Sequence, residues 1–183
     1  MAIHAVITGD IVNFTKLPPA NEKNLLKALH QVLASEMFEF YRGDSFQVYQ
    51  KTAIEALKTA LLCRASAISL APEDEMASFD VRASIGIGQV KEPVKTVNTA
   101  RGDAFILSGR AFDEIAKKQT KLTIITSNAL ANEGLQVIAE YINAIFNTMT
   151  RKQAKVIFEL LKGQTQQAVA KKLKKSKSTI NNM

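Results

Sequence analysis

FEFYRGDSFQVYQ, residues 38–50, predicts a β-hairpin. Aromatic and β-branched residues, which favour strands, are frequent in 38–41 and 46–50. Between these runs lies Arg42-Gly43-Asp44-Ser45, a glycine-containing connection of the kind that joins antiparallel strands. We therefore expect two neighbouring antiparallel strands, with Asp44 in the turn between them.

The segments on either side of this hairpin predict alternating strands and helices. Residues 4–10 are an apolar run that indicates a buried strand, and Asn21 is placed to cap the helix that follows. A second helix is predicted at 53–71, and an acidic loop at 73–75 separates it from an alternating strand at 79–90. The resulting order, βαββαβ, is typical of an α+β domain of the ferredoxin-like or palm arrangement, with helices on one face of an antiparallel sheet.

The chain continues with helix, strand and helix, predicted at 102–118, 122–126 and 129–146 from the spacing of their apolar residues. Gly86 and Gly88 lie inside the preceding strand, which is predicted at 79–90. Glycine inside a strand is more often a site where a helix packs closely than a phosphate cradle. We expect a helix against these glycines.

Composition excludes several classes of protein. The chain has 183 residues, of which 46% are hydrophobic and 22% charged, as in ordinary globular proteins. A single cysteine, Cys63, and two distant histidines, His4 and His30, provide neither a disulfide framework nor a Cys/His zinc site. Without a membrane-spanning run or a signal peptide, the expected location is the cytoplasm.

Charge divides the chain into two predicted domains, 1–147 and 148–183. The second segment holds nine lysine and arginine residues and a single acid, Glu159, whereas the first holds 15 basic and 16 acidic residues. A short segment with this excess of positive charge indicates a polyanionic partner for that segment alone.

The basic segment fits a helix-turn-helix pattern. Thr150 and Gly163 are placed to begin and end one helix, and Thr165 to cap the next. Buried positions of the template are filled by Val169, Ala170, Leu173 and Ile180, and Ser176 or Ser178 begins the last helix. The alternative is a solvated pair of basic helices that serves as a packing appendage or a dimer arm.

This segment resembles the sigma-region-four and LuxR-like helix-turn-helix units of bacteria, in which a Thr-Gln pair opens the first helix and Ser-x-Ser-Thr the second. The resemblance implies binding of double-stranded DNA. The implied DNA-binding residues are Thr165, Gln166, Lys177, Ser178, Thr179, Asn181 and Asn182. We also expect that Met183 truncates the last helix.

Two carboxylates of the main domain are candidates for a shared site. Asp10 ends the first strand and Asp44 lies in the hairpin turn, and in a βαββ unit these strands are neighbours in the sheet. Paired carboxylates at strand ends are the usual ligands of Mg²⁺ in phosphate chemistry. The alternatives are a turn cap for Asp10 and an ordinary hairpin residue for Asp44.

The motifs around these acids resemble the core motifs of class III nucleotidyl cyclases. They are Thr8-Gly9-Asp10-Ile11-Val12-Asn13-Phe14-Thr15, Gly43-Asp44-Ser45-Phe46 and the segments 82–88 and 102–110. The first two also resemble the small bacterial SatD family, and that similarity spans about residues 3–118.

The cyclase resemblance implies a Mg²⁺ or Mn²⁺ site and a nucleotide site. Metal ligands would be Asp10, Asp44 and the backbone carbonyl of Ile11; nucleotide contacts would be Phe14, Thr15 and Arg82; and Arg110 would be catalytic. Ile106 stands where cyclases have the asparagine that orients the ribose, so we expect no cyclisation.

Three hypotheses follow. In the first, the chain is a homodimeric DNA-binding transcriptional regulator whose cyclase-like domain senses a ligand, such as a nucleotide, or dimerises. In the second, it is a metal-dependent enzyme acting on nucleoside triphosphates. In the third, the main domain is a non-catalytic interaction module.

Overall fold

The computed structural model describes residues 3–72, 78–118 and 120–181. Predictions that concern the acidic loop at 73–75, Asn182 and Met183 lie outside these residues.

Five strands and seven α-helices make up the described chain. The strands are β1 (Ile3–Ile11), β2 (Met37–Tyr41), β3 (Ser45–Gln50), β4 (Val81–Gln89) and β5 (Leu122–Thr126). The helices are α1 (Pro19–Leu33), α2 (Ala56–Ser69), α3 (Asp103–Lys117), α4 (Ala129–Asn147), α5 (Arg151–Leu161), α6 (Gln166–Leu173) and α7 (Lys177–Asn181). Short 3₁₀ turns at Phe14–Lys16 and Ala53–Glu55 precede α1 and α2.

The strands form one sheet in the order β2-β3-β1-β4-β5. Neighbours are antiparallel except β4 and β5, which are parallel and are joined through α3. The predicted α+β class, the βαββαβ order and the hairpin are therefore confirmed.

The sheet is covered on both faces: the two helices of the βαββαβ unit, α1 and α2, lie on one face, as predicted, and α3, which follows that unit, lies on the other. Ala5 and Ile7 of β1 pack with Leu29 of α1 and with residues of α2 and α4. Thr8, which points to the opposite face, hydrogen-bonds Ser108 of α3. The βαββ start places its own helices on one side, but nothing in the periodicity of α3 specifies the side it covers.

Close contact between β4 and α3 explains the two glycines of the strand. A side chain at Gly86 would collide with the backbone of Ala104 and Ser108, and one at Gly88 would press on Asp103. The Ser84 hydroxyl donates to the Ser108 carbonyl oxygen at 2.6 Å in the same contact. The interpretation of these glycines as helix-packing positions is confirmed.

The start of α1 differs from the prediction. The helix begins at Pro19, not after Asn21, and the residue at its N-cap is Pro18. Proline suits the first helical position because its fixed φ is helical and its missing N–H would have no helical partner.

Helix α5 packs on both the main domain and the following helices. Ala154 lies in a cluster with Ala65 and Ile68 of α2, whereas Val156 lies in a second cluster with Val169 of α6 and Ile180 of α7. The predicted boundary near residue 147 thus coincides with the end of α4, but α5 contributes to two cores. Among the described residues, no helix is both long and apolar enough to cross a membrane.

Candidate functional site

One end of the sheet brings together several residues of the predicted site. The strand register sets Asp10 opposite Ser45 of β3 and opposite Arg82 of β4. Asp44 immediately precedes β3, and its carbonyl oxygen accepts a hydrogen bond from the N–H of Ile11 at 3.2 Å. Asp10 and Ile11, Asp44 and Arg82, which come from three separate parts of the sequence, therefore share this end.

Asp10 forms a two-point ion pair with Arg82. The arginine Nε donates to Oδ1 at 3.1 Å and its Nη2 to Oδ2 at 2.5 Å. The guanidinium also lies 5.5 Å from the centre of the Phe112 ring and donates to the carbonyl oxygen of Ala116. Helix α3 thus helps to hold Arg82 against the carboxylate.

Tyr41 of β2 lies near the same carboxylate. Its pKa is raised above the ordinary 10.0, first by burial and further by the negative charges of Asp10 and Asp113, while the positive charge of Arg42 lowers it. The tyrosine therefore keeps its proton at neutral pH. Tyr41 and Asp10 are brought near each other because both are aligned with Ser45 of β3, one from β2 and the other from β1.

These residues as arranged do not fit a two-carboxylate metal centre. Both oxygens of Asp10 are bound by Arg82, so a divalent cation would have to displace the guanidinium. In the part of the chain that the structure describes, no three His, Cys, Asp or Glu side chains are close enough together to hold a metal. Metal binding at Asp10, Asp44 and Ile11 stays a prediction.

A cavity of about 510 Å³ lies beside the ion pair. Arg82 lines it together with Asn13, Lys117 and Lys121, so its walls contain three cationic side chains, each of which is paired with an acid. Lys121 also pairs with Asp80 at 3.1 Å, and Lys117 with Glu114 at 3.0 Å. An anionic group bound here would compete with these carboxylates for the cationic side chains.

Phe14, Thr15 and Arg110 occupy three different surroundings. Phe14 packs against the main core from the 3₁₀ turn after β1, and Thr15 in the same turn is exposed. Arg110 is exposed on α3 and lines a separate cavity with β5 and α4. It lies on the other flank of α3 from Phe112 and Ala116, which contact Arg82.

A buried polar cluster of Arg64, Asp80 and Asn143 was not predicted from the sequence. Arg64 of α2 donates two hydrogen bonds to Asp80, of 3.0 and 2.8 Å, and one to the Asn143 amide oxygen of α4. Both partners of the ion pair are inaccessible to solvent, and Asn143 donates in turn to the carbonyl oxygen of Leu122. An arginine in the otherwise apolar stretch LLCRASAI, 61–68, was the one available signal.

The helices of the basic segment form a compact three-helix unit. Thr165 caps α6 by accepting from the N–H of Ala168, and Ser176 accepts from the N–H of Thr179 at the start of α7. Lys174 joins the two helices in the left-handed conformation, with φ 53°. The predicted buried residues are confirmed: Val169, Ala170 and Ile180 are buried, with Leu173 packed against them.

The predicted DNA-binding residues form an exposed set. Thr165 and Gln166 are exposed at the start of α6, and Lys177, Ser178 and Asn181 on α7; Thr179 is half-buried. A further contact joins α5 to α6, since Lys172 donates to Glu159 at 2.7 Å. The single acid of this segment is thus an internal partner of its lysines.

Comparisons with known proteins give weak structural similarity. No protein-family profile matches the chain, and no curated protein matches it. Two solved structures of a bacterial light-regulated adenylyl cyclase are 14% identical to the chain. Their TM-scores are 0.46 and 0.47, and the match covers 67% of this chain and 75% or 42% of theirs. A guanylyl cyclase structure, also 14% identical, has a TM-score of 0.40 over 61% of this chain and 70% of its own. Similarity of this size assigns no activity.

Proposed function

We propose that the chain binds double-stranded DNA through residues 148–183 and acts as a transcriptional regulator. The observation that carries the proposal is the α6–α7 unit, in which two short helices joined by a left-handed residue pack on α5 through Val169, Ala170 and Ile180. A helix-turn-helix presents its second helix to the major groove in this way.

The exposed side chains of this unit suit contacts with both the phosphate backbone and the base edges of DNA. Lys177 at the start of α7 is a cation for a backbone phosphate, and Asn181 one turn later has the amide that can pair with an adenine edge. Thr165 and Gln166, at the start of α6, can donate to the backbone. With nine basic residues and one acid, the segment has the charge that nonspecific affinity for DNA requires.

The main domain would then sense a ligand or hold two chains together. Ile106 is 51% exposed on α3 at the position where the cyclase resemblance calls for asparagine, and an isoleucine cannot hydrogen-bond a ribose. We therefore expect no cyclic nucleotide product. Membership of the SatD family, the homodimer and the cytoplasmic location belong to this proposal.

Fluorescence anisotropy with labelled genomic fragments tests DNA binding. We expect saturable binding that weakens steeply as salt rises, because bound cations displace counterions from DNA. Lys177→Ala should weaken binding roughly threefold to tenfold and reduce the salt slope by about one. Asn181→Ala should reduce discrimination between fragments more than it reduces the salt slope.

Lys23→Ala is the matched control, since Lys23 is exposed on α1 and its removal changes the net charge by the same amount. It should leave binding unchanged. If the protein binds no fragment, or if Lys23→Ala has the same effect as Lys177→Ala, the DNA-binding proposal is wrong. The alternative, that residues 148–183 are a packing appendage or a dimer arm, is then favoured.

An enzyme acting on nucleoside triphosphates with Mg²⁺ or Mn²⁺ is the second candidate. The convergence of Asp10, Asp44 and Arg82 at one sheet end supports it, and a metal ion could bind there only if Arg82 released Asp10. Purified protein should be incubated with ATP or GTP and Mn²⁺, and products separated by chromatography. Turnover that Asp10→Asn abolishes would favour this candidate over the regulator.

A further inference from the structure

Helix α4 is apolar on two opposite sides. One side packs into the protein, where Ala139, Asn143 and Phe146 are buried. The other side leaves large apolar side chains in solvent: Leu130 is 78% exposed, Val137 66%, Tyr141 70%, Ile138 49% and Ile145 44%. Single exposed apolar residues are common, but five on one helix face require an explanation.

The exposed residues follow a heptad pattern. Leu130, Gly134, Val137, Tyr141 and Ala144 are separated by intervals of four, three, four and three residues. Ile138 and Ile145, seven residues apart, flank this seam on one side, and Glu133 and Glu140, also seven apart, flank it on the other. This is the pattern by which one helix packs along another helix of the same kind.

The size of the exposed surface fits a dimer. From their exposed fractions, the five large side chains leave on the order of 600 Å² accessible, at the upper limit for a patch on a monomer and near the ~800 Å² per partner of a specific interface. A membrane surface is a poorer occupant, because α4 has no lysine or arginine to meet anionic headgroups and exposes two glutamates.

We propose that two copies of this chain pair in parallel through the exposed seam of α4. In a parallel pair, Glu133 and Glu140 face the partner's Ile138 and the partner's Ile145, so that their carboxylates remain at the solvent edge. In an antiparallel pair the glutamates of the two helices face each other, and that repulsion disfavours the arrangement. The pairing does not depend on whether the chain binds DNA.

Parallel pairing has a geometric consequence for the basic segment. Only residues 148–150 separate α4 from α5, so the two three-helix units emerge at the same end of the paired helices. They are then related by a two-fold axis, which is the symmetry that paired DNA half-sites require.

Analytical ultracentrifugation of the full chain tests the pairing. The wild type should be dimeric at micromolar concentration, and Val137→Glu combined with Tyr141→Glu should weaken dimerisation at least ~100-fold, since two charges would enter an apolar interface. Ile54→Glu is the matched control, because Ile54 is 82% exposed but lies outside the seam. Circular dichroism and the melting temperature show whether each variant is folded.

Two further experiments test whether an exposed apolar residue outside α4 mediates the dimer and determine the relative orientation of the two α4 helices. Ile106→Glu, on α3, should leave the dimer intact. Leu130→Cys and Ala144→Cys should each form an intermolecular disulfide alone, whereas an antiparallel pair would crosslink only in a mixture of the two. Cys63 does not interfere, because it is buried and its pKa is raised to about 12.

A monomeric wild type at high micromolar concentration, or a dimer that Ile106→Glu dissociates and the α4 variant does not, would overturn the proposal. Crosslinking only in the mixture would overturn the parallel orientation.

Discussion

At the scale of single residues, the Asp10–Arg82 pair is the central feature of the sheet end. The side chains are only 14% and 25% exposed, and both nitrogens of the contact meet separate carboxylate oxygens. Partly buried two-point pairs of this kind are stronger than pairs in free solvent, because the fork geometry is fixed and water screens it less.

A double-mutant cycle measures this pair. Arg82→Met and Asp10→Asn should each lower the free energy of unfolding, and the double variant should lose less than the sum, with a coupling of about 1–2 kcal/mol. The matched pair Glu55–Lys58, half-exposed at both ends, should couple by less than about 0.5 kcal/mol in Glu55→Gln and Lys58→Met. If urea unfolding gives equal coupling energies for the two pairs, the prediction that Asp10–Arg82 is the stronger pair is wrong.

The positions of strand ends and turns were predictable from the sequence, but specific side-chain partners that lie far apart in the sequence were not. Strand ends and turns could be located from local pattern, which was enough to bring Asp10, Asp44 and Ile11 to one place. The partner of Asp10 could not be predicted, because Arg82 is aligned with it only through the β1–β4 register. The Arg64–Asp80 pair was not predictable either, because it depends on how α2 packs against the residue just before β4.

At the scale of elements, the turn between α6 and α7 stands out. Lys174 has φ 53°, a conformation that costs a residue with a side chain roughly 1 kcal/mol or more and costs glycine little. Its backbone is held there because the N–H groups of Lys174 and Lys175 close the end of α6 on the carbonyl oxygens of Lys171 and Ala170.

Lys174→Gly should therefore raise the free energy of unfolding by up to about 1 kcal/mol. Gly163→Ala is the opposite control: Gly163 has φ 85° with open space around it, so strain alone should lower stability by about 1 kcal/mol. Chemical denaturation monitored by circular dichroism gives both values. A destabilising Lys174→Gly would show that the lysine side chain itself stabilises the turn.

Element positions were largely predictable from apolar spacing, and the helices and strands differ from their predicted bounds by a few residues. The face on which α3 lies was not predictable, since its apolar positions specify that one side is buried and not which face of the sheet it meets.

At the scale of the whole molecule, α5 joins the sheet domain to the basic unit. Ala154 and Phe158 pack with α2 and Phe146, while Val156 and Leu160 pack with α6 and α7. A chain cut after residue 147 should lose the cover of Ala65 and Ile68 and melt at a lower temperature, by several degrees, or aggregate.

A chain cut after residue 164 keeps α5 and should melt close to the full chain, because it exposes only the face of α5 that meets α6. Differential scanning calorimetry of both truncations checks this. If the shorter chain is as stable as the longer one, α5 contributes nothing to the sheet domain.

Because α5 packs in two hydrophobic clusters, it limits where segments of such a protein can be exchanged in a gene fusion. A gene fusion that exchanged residues 148–183 for an unrelated helical unit would remove the α5 side chains that pack on Ala65 and Ile68 of the sheet domain. An exchange after Gly163 would replace only α6 and α7 and leave α5 seated on α2. The natural point of modular exchange therefore lies between α5 and α6, inside the segment that charge alone marks as a single domain.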